Sequence, residues 1–122
     1  MTNQSKGVLV SGVVTTSQNF DIDIPYGRGV RICRVITAED GAATHDLKIQ
    51  TYDACSGTYI DLAGAAMAQA TGTGSATLTV YPGIAASANV SVNLPVARRI
   101  RVVSTFGGAT SFTMSIGADI LI

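Results

Sequence analysis

One stretch of the sequence decides the fold class: Phe112-Thr113-Met114-Ser115-Ile116-Gly117-Ala118-Asp119-Ile120-Leu121-Ile122. Apolar side chains occupy every second position of this stretch, and small or polar ones fill the positions between them except at Leu121. Side chains along a β-strand point alternately to its two faces, so this period of two predicts a strand with one apolar and one polar face. The segment therefore belongs to a sheet that covers a core on one side.

Similar short segments, separated by Gly, Pro, Ser and Thr, fill the rest of the chain, which is typical of a sandwich or barrel. The stretch Ala63–Ser75 predicts a loop, with a helical turn at Ala65–Ala68 as the alternative. A hairpin about Phe106–Ala109 is expected to join the last two strands. The predicted strands are Lys6–Thr16, Phe20–Ile24, Arg28–Thr37, Leu47–Tyr52, Thr58–Leu62, Ala76–Tyr81, Val90–Leu94, Arg99–Thr105 and Thr110–Ile122.

These segments predict an all-β fold in one domain that spans residues 1–122. The architecture that fits them is an antiparallel β-sandwich or jelly-roll-like domain of about eight strands. The length suits a single domain with its own core. Met1–Gly7 is a candidate for an extended N-terminal arm.

Composition narrows the function classes. Only 13% of the residues are charged, and eight basic and eight acidic side chains cancel. Without a basic surface, neither nucleic-acid binding nor membrane binding is expected, whereas a neutral surface rich in small residues favours association with copies or partners. We see neither a signal-peptide pattern nor an apolar run of about 18 residues, so we expect a product made in the cytoplasm.

The sequence predicts no catalytic, cofactor-binding or metal site, and we do not expect an enzyme. His45 and Asp46 are neighbours in a predicted strand, so they point to opposite faces and do not form a catalytic pair; His45 is expected to be solvated. Cys33 and Cys55 are expected to be free thiols, with a disulfide as the minority alternative. Thr71–Ser75 has the glycines of a phosphate-binding loop but no lysine, so it predicts a flexible or interface loop.

Charged residues in two predicted strands form the candidate interface. Arg98, Arg99 and Arg101 are the basic cluster of the chain, and Asp21 and Asp23 share one strand face. We expect the arginines to pair with these acids, within the domain or on a partner; a solvated strand face is the alternative. Two carboxylates on a strand are too few oxygen ligands to predict a Ca²⁺ site.

The second half of the chain resembles a family of small all-β virion proteins of tailed bacteriophages and prophages. The resemblance rests on Ser56–Met67, Ala97–Thr105 and Gly107–Ile116, in which a Gly-Thr-Tyr strand leads into an Ala-rich loop and an Arg-x-Arg-Val-Val strand pairs across a Gly-Gly turn with a Ser-Phe-Thr-x-Ser strand. It implies a virion component, specifically a capsid decoration (cement) protein on the capsid surface. The implied partners are further copies of the chain, as a homotrimer, and a major capsid protein.

Two alternatives stay open at the level of sequence. A β-sandwich serves equally well as a carbohydrate-binding or host-surface-binding module, because fold does not fix function. The tyrosines are scattered and tryptophan is absent, which lowers the expectation of a sugar-binding surface; the tyrosines are Tyr26, Tyr52, Tyr59 and Tyr81. A structural role in the tail or neck of a phage particle is the other alternative.

Overall fold

The structure, a computed structural model, describes residues 3–24, 28–96, 98–108 and 111–121. In these residues it contains nine strands: β1 Asn3–Val14, β2 Gln18–Asp23, β3 Gly29–Asp40, β4 Thr44–Asp53, β5 Thr58–Ala66, β6 Gly74–Val80, β7 Ser91–Val92, β8 Arg99–Gly107 and β9 Ser111–Leu121. No helix that these residues form is long and apolar enough to cross a membrane.

The strands form two packed sheets. Sheet I has the order β1-β9-β3-β6-β7, and sheet II has the order β2-β8-β4-β5. All neighbours are antiparallel except β6 and the two-residue β7. Without the short β7, the strands pair from the two ends of the chain inward: β1 with β9, β2 with β8, β3 with β6 and β4 with β5. This is the strand order of a jelly roll. The predicted all-β sandwich or jelly roll is confirmed.

The core lies between the two sheets and is filled by alternate residues of each strand. In β9, Phe112, Met114 and Ile116 are buried, as their period of two predicts. In sheet II, β4 buries Leu47 and Ile49 in the same core. Each fully buried side chain of this size contributes about 1.5–3 kcal/mol through removal of apolar surface from water. The rigid two-layer core fixes the positions of the side chains on the outer faces of both sheets.

The predicted hairpin between the last two long strands is wrong. β8 pairs with β2 and β4 in sheet II, whereas β9 pairs with β1 and β3 in sheet I. The glycines between them serve a crossing from one sheet to the other: Gly108 has φ +94°, and a Cβ there would lie 2.9 Å from the carbonyl oxygen of Ala42. Glycine adopts positive φ values readily in a hairpin turn and in a crossing between sheets. A Gly-Gly pair in the sequence therefore does not distinguish a hairpin from a crossing.

Several boundaries also differ from the prediction. Asn3–Gly7 lies in β1 and pairs with β9 rather than forming an arm. The predicted loop or helical turn in Ala63–Ser75 begins as strand, since β5 continues to Ala66 through a register shift beside Gly64, where φ is +77°. The predicted strand Val90–Leu94 is reduced to Ser91–Val92. Backbone pairing decides these ends, and a single sequence does not display it.

Candidate interaction faces and a buried polar cluster

The candidate interface residues meet on the outer face of sheet II. The register places Asp21 opposite Arg101 and Asp23 opposite Arg99. Arg101 Nε lies 2.7 Å from an Asp21 carboxylate oxygen, and Arg99 Nε lies 3.0 Å from one of Asp23. The expected pairing of these residues is confirmed, within the domain. Arg98 is exposed immediately before β8, and its carbonyl oxygen accepts a hydrogen bond from the N–H of Ile24.

Two tyrosines extend this face across β4 and β5. Tyr52 and Tyr59 are cross-strand partners with ring centres 5.2 Å apart in an edge-on arrangement. The guanidinium of Arg101 lies 3.9 Å from the ring centre of Tyr59, and that of Arg99 lies 5.4 Å from that of Tyr52. Cations at these distances from an aromatic face are attracted by its negative quadrupole. The sequence alone does not reveal this contact, because only the strand order places β4 between β8 and β5.

A second charged group completes the outer face of sheet II. Asp61 accepts a hydrogen bond of 2.9 Å from the Gln50 amide and lies 3.0 Å from the Lys48 ammonium. The Gln50 hydrogen bond, followed by the Lys48 contacts, lowers the pKa of Asp61. The hydrogen bond from Arg101 likewise lowers the pKa of Asp21. The cations Lys48, Arg99 and Arg101 on this face are therefore already paired with carboxylates of the same face.

The outer face of sheet I has a different chemistry. Its exposed apolar side chains are Val8, Val13 and Val35, which are 71%, 67% and 40% exposed. Among the described residues of this face, Arg31 and Asp119 form an ion pair of 2.7 Å. The other positions between the valines hold small side chains: Ser11, Cys33, Ser75, Thr77, Thr113, Ser115 and Gly117. This face is a sheet surface with little charge and few long side chains.

Three polar residues meet inside the sandwich. His45 is fully buried, so the expectation that it is solvated is wrong. Its Nδ1 lies 3.1 Å from Nη1 of Arg34, and its Nε2 lies 2.6 Å from the hydroxyl of Ser104. These three residues are called the buried cluster below. The signal that could have found it is parity, since His45 lies on the same strand face as the apolar Leu47 and Ile49. Arg34 likewise lies on the same face as Ile32 and Ile36.

The donors of the buried cluster fix the state of the imidazole. A guanidinium donates hydrogen bonds and accepts none, so Nδ1 of His45 is the acceptor and carries no proton. The Nε2–H then donates to Ser104. Burial, together with the charge of Arg34, lowers the pKa of His45 to about 4. A proton added at Nδ1 would face a second donor across 3.1 Å.

The remaining sequence candidates lie apart from these sites. Asp46 points away from the imidazole of His45 and accepts a hydrogen bond of 3.0 Å from the Gln69 amide. Cys33 and Cys55 are free thiols, one on sheet I and one in the β4–β5 turn. Within the described ranges, no group of three or more His, Cys, Asp or Glu residues is arranged to hold a metal ion. Tyr26 lies outside the described residues.

No protein-family model matches the chain, and no curated protein matches it significantly. The features of the molecule that bear on its function are therefore the fold, the two outer faces and the buried cluster. Of these, the outer faces are accessible to a macromolecular partner.

Proposed function

We propose that this protein is a structural component of a tailed-bacteriophage particle, specifically a capsid decoration protein. It binds the outer surface of the capsid, through contacts with a major capsid protein, and stabilises it. It associates with further copies as a homotrimer. The sequence resemblance supports this role through its motifs, not through the pairing it implied between the strands now identified as β8 and β9, which lie in different sheets. The jelly-roll strand order is compatible with the role, since jelly rolls recur in viral capsid proteins and also in lectins.

The observation that carries the proposal is the outer face of sheet I. Its valines and small side chains allow another backbone to approach closely, and few charges must lose their water when it is covered. Apolar surface buried there contributes roughly 25 cal/mol per Å². A protein repeated over a capsid adds many such contacts, so that even weak individual ones favour the assembled state.

Purified particles provide the direct test. Particles from the source phage or prophage are isolated on a density gradient, separated into heads and tails, and analysed by quantitative mass spectrometry. We expect the protein in the head fraction, in a copy number comparable to that of the major capsid protein. Recovery with tails alone would replace the decoration role by the tail or neck role, and absence from particles would exclude both.

Oligomeric state gives an independent check. Light scattering of the purified protein over a concentration series is expected to give the mass of a stable closed oligomer, a trimer in the specific proposal. A mass of one chain, 12.5 kDa, at every concentration would contradict self-association.

A carbohydrate-binding or host-surface-binding module is the second candidate, favoured by the outer face of sheet II. Tyr52, Tyr59, Gln50 and Asp61 combine aromatic rings with the polar groups that hydrogen-bond sugar hydroxyls. The Arg101 guanidinium covers the ring of Tyr59, however, which reduces the surface open for stacking. A glycan array on which the protein binds one glycan class, and loses it in Tyr52→Ala, would favour this candidate over the first.

A further inference from the structure

A pocket opens beside the buried cluster, between β3 and the segment that leads into β6. It has a volume of about 290 Å³ and is lined by Arg34, Ile36 and residues 70–75. Ala70 is held against β4 by paired backbone hydrogen bonds with His45, and Gly74 pairs with Ile36. Both ends of the glycine-containing loop Thr71–Ser75 are therefore fixed to the sandwich.

Arg34 forms the cationic wall of this pocket. It is only 5% exposed, and among the described residues no carboxylate lies within ion-pair distance of it. Its Nη1 bonds to His45, at Nδ1 and more weakly at the carbonyl oxygen, and Nη2 donates to the carbonyl oxygen of Ala68 at 3.2 Å. A guanidinium has five N–H donors, so Nε–H and one Nη2–H have no acceptor in the described part of the chain.

The loop supplies further donors on the other side. The N–H groups and hydroxyls of Thr71 and Thr73, and the N–H of Gly72, form no hydrogen bond with the described residues. Backbone N–H groups without an internal acceptor at the wall of a pocket are donors that an anion can use. Two nearby carboxylates disfavour anion binding in this pocket. Glu39 approaches Gly72, and Asp46 interacts electrostatically with Arg34.

We propose that this pocket binds a small tetrahedral oxyanion of the phosphate class, held between the guanidinium of Arg34 and the loop Thr71–Ser75. A tetrahedral oxyanion accepts hydrogen bonds in several directions, so one ion can accept from the side chain and from the loop that line this pocket. A buried guanidinium without a carboxylate partner has lost its hydration and has no neighbouring negative charge to compensate for it. An oxyanion bound beside it would therefore stabilise its charge. The site is independent of the proposed capsid role.

The test is a titration with inorganic phosphate at constant ionic strength and pH 7.5. Amide chemical shifts of the ¹⁵N-labelled protein locate the binding, and calorimetry measures the affinity. We expect saturable shifts at Thr71, Gly72 and Thr73, and at least about tenfold weaker binding in Arg34→Met, since a charge-assisted contact is lost. Arg31→Met is the matched control: it removes an arginine of the same strand on the opposite face and leaves the affinity unchanged.

A second variant tests phosphate binding independently of Arg34→Met. If Arg34→Met does not fold, the double variant Thr71→Val, Thr73→Val replaces it, since it removes two exposed hydroxyls with little change of shape and is expected to weaken binding severalfold. Shifts confined to Arg99 and Arg101 on the outer face of sheet II, or no saturable response to phosphate, would overturn the proposal. Equal affinity in the wild type and the folded pocket variant would also overturn it.

Discussion

The buried cluster and the outer face of sheet II use the same kinds of group in opposite settings. Arg34 and Arg101 both lie on strands that have a neighbour on each side, and both make side-chain hydrogen bonds. Arg34 is buried against a neutral imidazole, whereas Arg101 pairs with a solvent-exposed carboxylate. Exposed ion pairs are screened and add little to stability, whereas a buried polar group costs free energy if its partner is lost. Burial, rather than the number of hydrogen bonds, therefore determines how much each polar group affects the free energy of unfolding.

Lowering the pH should have the largest effect on the buried cluster, because it protonates His45. The pKa of His45 is lowered in the fold from 6.5 to about 4, so between these pH values the unfolded chain binds more protons than the folded one. Stability contributed by neutral His45 is therefore complete above pH 6.5 and falls as the pH decreases towards 4. At about 1.4 kcal/mol per pKa unit the loss is on the order of 3 kcal/mol.

Urea denaturation at a series of pH values measures this loss. His45→Gln should flatten the dependence in this window, because it removes the titrating group while keeping an amide for hydrogen bonding. The fold lowers the pKa of the Asp21 and Asp61 carboxylates from 3.8, so their contribution to the acid loss begins only below about pH 5. The slope between about pH 5 and 6.5 therefore reports His45. An unchanged slope in His45→Gln would show that another group is responsible.

Ser104→Ala should have the next largest effect. It leaves the Nε2–H of His45 buried without an acceptor, which costs about 1–3 kcal/mol at neutral pH. Thermal or urea unfolding measures the loss directly. Ser115→Ala, an exposed serine on the outer face of sheet I, is the matched control and should leave the unfolding midpoint unchanged. Equal effects of the two substitutions would remove the distinction between the buried cluster and the surface.

The ion pair between Asp21 and Arg101 should contribute less than Ser104. A double-mutant cycle with Asp21→Asn and Arg101→Gln isolates the coupling between the two side chains. We expect a small favourable coupling that decreases when the salt concentration is raised, because the charges are screened by solvent ions. A coupling as large as the effect of Ser104→Ala, and insensitive to salt, would contradict the comparison.

Val35→Lys should have the smallest effect on stability and a selective effect on assembly. Val35 is already 40% exposed on the outer face of sheet I, so the unfolding free energy should change by less than about 0.5 kcal/mol. If this face is the self-association surface, the new charge should reduce the oligomer mass seen by light scattering. Ile60→Lys, at a position in sheet II that is 51% exposed, is the control and should leave the mass unchanged.

Local signals in the sequence were sufficient for the strands and for part of the outer face. The alternation in β9 predicts its buried face, and the shared parity of Asp21 and Asp23, with the arginines of β8, led to the expected pairing. The same signals did not give the partner of each strand. Glycines before β9 are compatible with a hairpin and with a crossing between sheets, so the hairpin prediction failed.

The sequence by itself determined that this protein is a β-sandwich with an apolar interior and few charges, because a period of two and the turn residues act over a few neighbouring positions. Only the tertiary structure decided what meets across the strands. The strand order places Arg101 over Tyr59 and joins His45 to Ser104, which lie 59 positions away in the chain. The same order sets Arg34 beside the loop Thr71–Ser75. Such contacts depend on which strands pair, and pairing is settled by the packing of the whole core.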